Sequence, residues 1–336
     1  MLFVGVDAHK AMSQITVMSE AGKIMKRQRI PTSREGVHKA LGQYQEPLHA
    51  VLEASYCWGP MYDWLKEVAE SVVLAHPMKV RAIAEARIKT DTIDSQTLAH
   101  LLRADLIPQA YAPCLQTRAI KRVLRQRMFF VRVRTMIKNR MQALLSQHSL
   151  RRPGVSDLFG VAGLKWLRSL SLPEPDQRLL QEQIKLFRVL QGRIRATEGL
   201  IGKLSMGEPA VGWIWSVPGI GAFFSVLIRY EVDEIKRFRS AKKFTSYTGL
   251  VPSTYASGSR TMHGRLTKQG NKWLRWAFVE AVSPAIRCSP WLRRYYMGIR
   301  ARRGAKDART ATARKLAELV WTVWTEGRMY EEDRVS

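Results

Sequence analysis

Cysteine is scarce in this chain: Cys57, Cys114 and Cys288 are its whole complement among 336 residues, and no two stand at a CxxC spacing. That shortage argues against a disulfide framework, and it fits a reducing cytoplasm. Acidic residues are also few, 28 against 55 lysines and arginines, which leaves a net charge of +27. A chain so short of negative charge is expected to meet a polyanion, either nucleic acid or an anionic membrane surface. Long apolar runs are missing as well. Residues 211–228 are eighteen without a charge, but they are interrupted at their middle by Ser216-Val217-Pro218-Gly219-Ile220-Gly221. Proline and glycine there make a poor centre for a lone spanning helix, so no membrane span is expected. Asp7, His9 and Lys10 break the first apolar run too early for a secretory signal. No fixed-period repeat or low-complexity tract is visible, and the apolar fraction of 46% is that of a globular protein.

Against this background the few acids gain meaning from where they stand. Asp7 ends the apolar strand Leu2-Phe3-Val4-Gly5-Val6-Asp7, and Glu53 ends a second, Leu48-His49-Ala50-Val51-Leu52-Glu53. Asp91 and Asp94 follow in Lys89-Thr90-Asp91-Thr92-Ile93-Asp94, at what reads as a helix start. Residues three apart share a helix face, so both carboxylates can point at one site. Clustered acids would repel a polyanion unless metal ions offset them. Hard oxygen donors suit Mg²⁺ or Mn²⁺, and paired ions can stabilise the attacking and leaving oxygens of phosphoryl transfer. The ordered set therefore predicts a nuclease-type metal site at Asp7, Glu53, Asp91 and Asp94. Each acid taken singly has an ordinary reading, as an exposed strand end or a charge favoured at a helix N-terminus.

The local patterns predict strands at 2–7, 14–18 and 24–30, with a hairpin signal at Glu20-Ala21-Gly22-Lys23. A helix near 34–44 with Ser33 as N-cap follows, then strand 48–53, a helix near 60–70 and strand 71–75. His76-Pro77 turns into another helix, and 92–103 forms one more. Strands followed by alternating helices and strands imply an α/β domain with a mixed sheet. Residues 116–149 read as one long basic helix carrying Arg118, Lys121, Arg122, Arg125 and Arg132 with no acid among them. Such a run is commonly a solvated face, but here the absence of acids over several turns favours phosphate contact. A second long helix is expected at 176–205, and the two, flanking a short linker with imperfect heptads, could make a coiled-coil hairpin or a dimer arm. The remainder, 208–330, reads as helical, rich in tryptophan and basic toward its end. The domains expected are thus 1–150, 151–207 and 208–330.

Two further motifs lie in the last region. Val217-Pro218-Gly219-Ile220-Gly221 between two helical stretches has the helix-hairpin-helix pattern, in which Gly219, Gly221 and a helix N-terminus face a phosphate. Its plain alternative is a tight turn between packed helices. Gly249-Leu250-Val251-Pro252 leads to Ser257-Gly258-Ser259, and Thr267-Lys268 with Gly270, Leu274 and Arg275 follows. No histidine–aspartate partner stands at a spacing that would nominate a serine hydrolase, and the residue types alone do not single out Ser257. Trp213, Trp215, Trp273 and Trp276 could stack on bases, but at helical spacing such residues are more often core.

Taken together these motifs resemble the DEDD insertion-sequence transposases, the bridge-RNA-guided recombinases. The likeness rests on Val4-Gly5-Val6-Asp7, Leu52-Glu53-Ala54, His76-Pro77, Lys89 to Asp94, Pro218 to Gly221, Gly249 to Pro252, Ser257-Gly258 and the Thr267 to Arg275 motif, and spans roughly 1–325. The resemblance implies a RuvC-like (RNase H-type) N-terminal domain, a coiled-coil middle, and a mainly helical C-terminal transposase domain. It implies metal binding by Asp7, Glu53, Asp91 and Asp94, with Mg²⁺ or Mn²⁺, and a nucleophile at Ser257 that forms a covalent phosphoserine. It further implies donor and target DNA, a structured non-coding bridge RNA and a tetramer of paired dimers. Nucleic-acid contacts are expected at the basic-helix residues, Gly219, Gly221, Lys268 and Arg275. The chain departs from the pattern in small ways. Ser95 stands where alanine is common, Cys57-Trp58-Gly59 replaces a glycine-containing loop, and Ser259 lies close enough to Ser257 to compete as nucleophile. Two alternatives remain: a RuvC-like junction nuclease that needs the acids but no serine, and a non-enzymatic nucleic-acid-binding protein that needs neither.

Overall fold

The computed structural model describes residues 1–84, 91–151, 153–257, 260–266 and 269–332, with the strands inside 252–266 described by backbone alone. The chain falls into two compact units, Met1–Ala112 and Pro113–Ser336.

The first unit begins with β1 (Leu2–Asp7), β2 (Met12–Ser19) and β3 (Ile24–Pro31). Helix α1 (Arg34–Leu41), strand β4 (Leu48–Glu53), helix α2 (Trp58–Val68), strand β5 (Ser71–Ala75), and helices α3 (Pro77–Ile83) and α4 (Asp91–Arg103) complete it. The sheet order is β3-β2-β1-β4-β5, antiparallel among the first three strands and parallel from β1 through β5. This is the mixed five-stranded RNase H-like arrangement that the sequence predicts. The hairpin turns where Gly22 adopts φ +83, open to glycine without steric cost. Ser33 caps α1 by accepting from the Gly36 amide at 3.0 Å.

Strand alternation sorts the core into two layers, because successive side chains point to opposite faces. On one face Val4, Val6, Ala50 and Leu52 pack with Val37 and Leu41 of α1 and Met61 and Leu65 of α2. On the other, Val51 and Ala75 pack with Leu98 and Leu101 of α4. Gly5 lies on this second face, since its β2 partner is Thr16, and the Thr16 hydroxyl meets the Ser95 hydroxyl of α4 at 2.9 Å. A β-carbon on Gly5 would sit 1.9 Å from the Ser95 carbonyl oxygen and 2.7 Å from the Ala99 nitrogen. Glycine is therefore what lets α4 lie directly on β1. The departure at Ser95 also has a physical account, as the fully buried hydroxyl pairs with Thr16 and donates to the Thr92 carbonyl at 3.1 Å.

The second unit opens with α5 (Leu115–Gln147), α6 (Val161–Ser169) and α7 (Asp176–Leu204). It continues through α8 (Pro209–Trp215), α9 (Ala222–Val232), a 3-10 turn at Ile235–Arg237, α10 (Ala241–Thr248), the hairpin β6 (Pro252–Ser257) and β7 (Arg260–Leu266), α11 (Lys272–Cys288) and α12 (Pro290–Glu326). The 33-residue α5 belongs to two cores at once. Its first half supplies Ile120, Leu124 and Met128 to the cluster built by α8 to α12. Its second half supplies Ile137, Met141, Leu144 and Leu145, which meet Leu180, Ile184, Phe187 and Leu190 of α7. By packing, the basic helix counts with the second unit. The uncharged stretch 211–228 is split by Pro218-Gly219 into α8 and α9. Among the described residues no helix is long and apolar enough to cross a membrane.

Candidate active site

The sheet brings the acids of the first unit to one place. Val6 pairs with Leu52 in the parallel register of β1 and β4, so the next residues, Asp7 and Glu53, are neighbours at the strand ends. Asp7 has the parity of Gly5 and Glu53 that of Val51, which puts both on the face covered by α4. The close approach at Gly5 aligns α4 so that its first turn, with Asp91 and Asp94, comes to the end of β1. Burial raises the Asp7 carboxyl pKa above the usual range, and the negative charges of Asp91 and Asp94 add to the effect while His9 opposes it.

His9 is the member the sequence reading did not assign. Its Nε2 lies 3.1 Å from Asp7 Oδ2 and 3.4 Å from Asp91 Oδ1. Asp7, His9 and Asp91 each offer a ligand atom within 4.8 Å of the others; Glu53 and Asp94 are not part of this cluster, Asp94 lying near enough to act on Asp7 through its charge and Glu53 ending the adjacent strand. The only signal in sequence was its place two residues beyond a strand-end aspartate. The turn holding it is anchored from both sides. Thr32 Oγ1 donates to the His9 carbonyl at 2.8 Å, and the Cys57 thiol donates to the Ala8 carbonyl at 3.2 Å. The unusual cysteine of the β4–α2 loop thus fastens the loop that carries His9. A convergent set of carboxylates with one imidazole, partly desolvated at Asp7, has the chemistry of a divalent-cation site.

The second unit holds the other expected residues. Arg122, Arg125 and Arg132 on α5 are exposed, and Arg118 is half-buried. Lys121 is not turned to solvent: only 12% of its side chain is exposed, and Nζ lies 3.6 Å from Glu231 Oε2. Glu231, on α9, is buried and had no role in the sequence reading. Arg125 Nη2 donates to its Oε1 at 3.3 Å and Asn271 Nδ2 to its Oε2 at 2.9 Å. Asn271 in turn caps α11 by accepting from the Trp273 and Leu274 amides. One buried carboxylate therefore ties the basic helix to the loop before α11.

In the Pro218–Gly221 turn the two glycines differ. Gly219 has φ +84, and a β-carbon there would meet the Ala281 carbonyl oxygen at 2.4 Å and the Ala285 nitrogen at 2.6 Å. It is a packed turn against α11. Gly221 caps α9 without a side chain and faces open space, leaving that helix N-terminus accessible. Trp215 and Trp276 are exposed, while Trp213 and Trp273 pack against the core. Arg275 lies against the left-handed Gly249, with Nη1 2.5 Å from where a β-carbon would stand. Ser257 is the last residue of β6, paired with Arg260 across the hairpin. Lys89, Thr90, Gly258, Ser259, Thr267 and Lys268 lie outside the described residues.

Comparison with known proteins bears on both units. A DEDD-type family model described as Transposase matches residues 4–150, and one described as Transposase IS116/IS110/IS902 family matches residues 213–297. A probable family 20 transposase of Pseudomonas aeruginosa is 23% identical, over 97% of this chain and 98% of its own. The transposase for insertion sequence element IS1328 of Yersinia enterocolitica is 24% identical over 98% of each chain. The transposase for insertion sequence element IS1111A of Coxiella burnetii is 21% identical over 97% of this chain and 90% of its own. With both domain types matched in order and the likeness running end to end, the chain belongs to the IS110 family of insertion-sequence transposases, enzymes that catalyse DNA transposition.

Proposed function

We propose that this transposase cuts and rejoins DNA through a serine–phosphate intermediate, with Asp7, Glu53, Asp91 and Asp94 as the metal-binding acids and Ser257 as the nucleophile. The observation that carries the reading is the convergence of Asp7 and Asp91 at the end of β1, with Glu53 beside them on the adjacent strand. A bound Mg²⁺ or Mn²⁺ would supply Lewis-acid polarisation of the scissile phosphate and lower the cost of ionising a hydroxyl. The acids would hold that ion and, without it, would repel the DNA backbone. Ser257 Oγ bonds to phosphorus and gives up its proton, while one deoxyribose oxygen leaves with a proton as a free hydroxyl. A deoxyribose hydroxyl from another strand then attacks the phosphoserine, and the serine hydroxyl is restored. Each step exchanges one phosphodiester for another, so strand exchange needs no external energy source. The serine and the acids belong to different units of the chain, and the chemistry requires both to act on one phosphodiester, whichever copies supply them.

The exposed Arg122, Arg125 and Arg132, together with Arg118, the open N-terminus at Gly221, Lys268 and Arg275, are the proposed contacts to nucleic-acid backbones. A structured RNA from the element, pairing with donor and target DNA, would supply sequence choice. A tetramer of paired dimers would hold the two duplexes, in keeping with the resemblance described above. The net charge of +27 supports a polyanionic partner but does not distinguish RNA from DNA. The test is to incubate the protein, its co-purifying RNA and labelled element-end DNA with Mg²⁺, denature, and map covalent DNA–protein adducts by peptide mass. The adduct is expected on the peptide carrying Ser257, lost in Ser257→Ala and retained in Ser259→Ala. Metal-dependent cleavage that persists in Ser257→Ala without any adduct would instead establish the junction-nuclease reading.

A further inference from the structure

We propose that His9 is a nitrogen ligand of the metal site and sets its ion preference, favouring Mn²⁺ over Mg²⁺. The inference rests on the metal-binding reading of Asp7 and Asp91, and adds to it a donor of different chemistry. The geometry already approximates a coordination sphere. Adjacent ligands of an octahedral ion with bonds of about 2.1 Å stand about 3.0 Å apart. The His9 Nε2 lies 3.1 Å from Asp7 Oδ2 and 3.4 Å from Asp91 Oδ1. The carboxylate oxygens offered by Asp7 and Asp91 lie within 4.8 Å of each other, so one cation can be reached by all three side chains.

The imidazole is held there by its backbone rather than by the carboxylates alone. The carbonyls of Ala8 and His9 are fixed by Cys57 and Thr32, and the Thr32 hydroxyl is itself met by Ser13 at 2.7 Å. Half of the His9 side chain is exposed, so it can turn its ring onto an ion without repacking the core. The chemical consequence follows from donor hardness. Mg²⁺ prefers oxygen and keeps much of its water, whereas Mn²⁺, although also well served by carboxylates, stands at the start of the first-row series whose affinity for nitrogen donors rises. Replacing one oxygen donor by nitrogen therefore improves Mn²⁺ binding relative to Mg²⁺.

The test uses the full-length protein with Mn²⁺ as probe. Pulsed electron paramagnetic resonance of the Mn²⁺-loaded wild type is expected to show coupling to an imidazole nitrogen, and His9→Ala is expected to lose it. In calorimetric titrations His9→Ala should weaken Mn²⁺ by roughly tenfold or more, the order that even outer-sphere partners contribute, and Mg²⁺ by much less. His9→Asp should reverse the preference toward Mg²⁺. Absence of nitrogen coupling in the wild type, or equal loss of both ions in His9→Ala, would overturn the assignment. Asp91→Ala separates this outcome from failure of the site itself. If Asp91→Ala abolishes Mn²⁺ binding while His9→Ala changes nothing, the acids bind metal and His9 does not. If neither variant changes Mn²⁺ binding, the metal site itself is misplaced.

Discussion

Gly5→Ala is the substitution that most directly links the packing of the first unit to its chemistry. The added β-carbon would stand 1.9 Å from the Ser95 carbonyl oxygen and 2.7 Å from the Ala99 nitrogen. Ordinary contact begins near 3.4 Å, so α4 would have to retreat from β1 by about 1.5 Å at this point. Both obstructing atoms are backbone, in the middle of a helix, and neither can swing aside as a side chain would. Overpacking of this kind costs about 1–3 kcal/mol, and a displacement near 1 Å in a catalytic group costs on the order of 100-fold in rate. Asp91 and Asp94 ride on the first turn of α4, while Asp7 stays on the sheet. Gly5→Ala is therefore expected to reduce DNA strand cleavage and divalent-cation affinity by far more than it lowers thermal stability. Cleavage kinetics, Mn²⁺ titration and circular-dichroism melts on the same preparation give all three quantities. A variant that retains wild-type metal affinity and cleavage would refute the claim that contact at Gly5 aligns the acids.

Two other perturbations follow from the same geometry. Glu231→Ala leaves Lys121, which has only 12% of its side chain exposed, without its counter-charge. Breaking a buried pair in this way costs about 3–5 kcal/mol, and the half-exposed Arg125 places the expected loss at the lower end. Lys121→Met combined with Glu231→Leu should recover much of that loss in urea denaturation, and a single-variant loss well under 1 kcal/mol would contradict the buried network. Asp7 concerns pH. Burial, helped by Asp91 and Asp94, raises its native pKa, so between the unfolded value of about 3.9 and the raised one the folded chain holds the extra proton. The metal-free protein should then lose stability as pH rises through that window. Asp7→Asn should remove this loss while abolishing the stabilisation by Mn²⁺. Melting curves that show the same pH slope in both proteins would exclude Asp7 as its source.

What could be read from the residues was mainly local. Strand alternation and the turn at Gly22 are near-neighbour properties, so β1 to β5 fall within a residue or two of their predicted bounds. The helix expected near 34–44 stops at Leu41, where Gly42 takes over as C-cap. The strand-end positions of Asp7 and Glu53 were legible for the same reason, and parallel pairing of their strands makes them neighbours. His9 was not legible, because its meaning depends on Asp91 arriving from another element across the face of β1. Glu231 was hidden more deeply, as its partners Lys121 and Asn271 lie 110 and 40 residues away in sequence. Charge pattern alone marked Lys121 as a phosphate contact, and only the packed structure reveals that its ammonium faces a buried carboxylate. The glycines of the Pro218–Gly221 turn illustrate the same limit. One motif contains a packing position at Gly219 and an open helix terminus at Gly221, and as residues the two look alike.

Anomalous diffraction from crystals of the full-length protein grown with Mn²⁺ tests the central claim most directly. The account predicts a peak at the end of β1, about 2.0–2.3 Å from carboxylate oxygens of Asp7 and Asp91 and within the reach of Glu53 and Asp94. A strong peak elsewhere, with these carboxylates holding none, would contradict it.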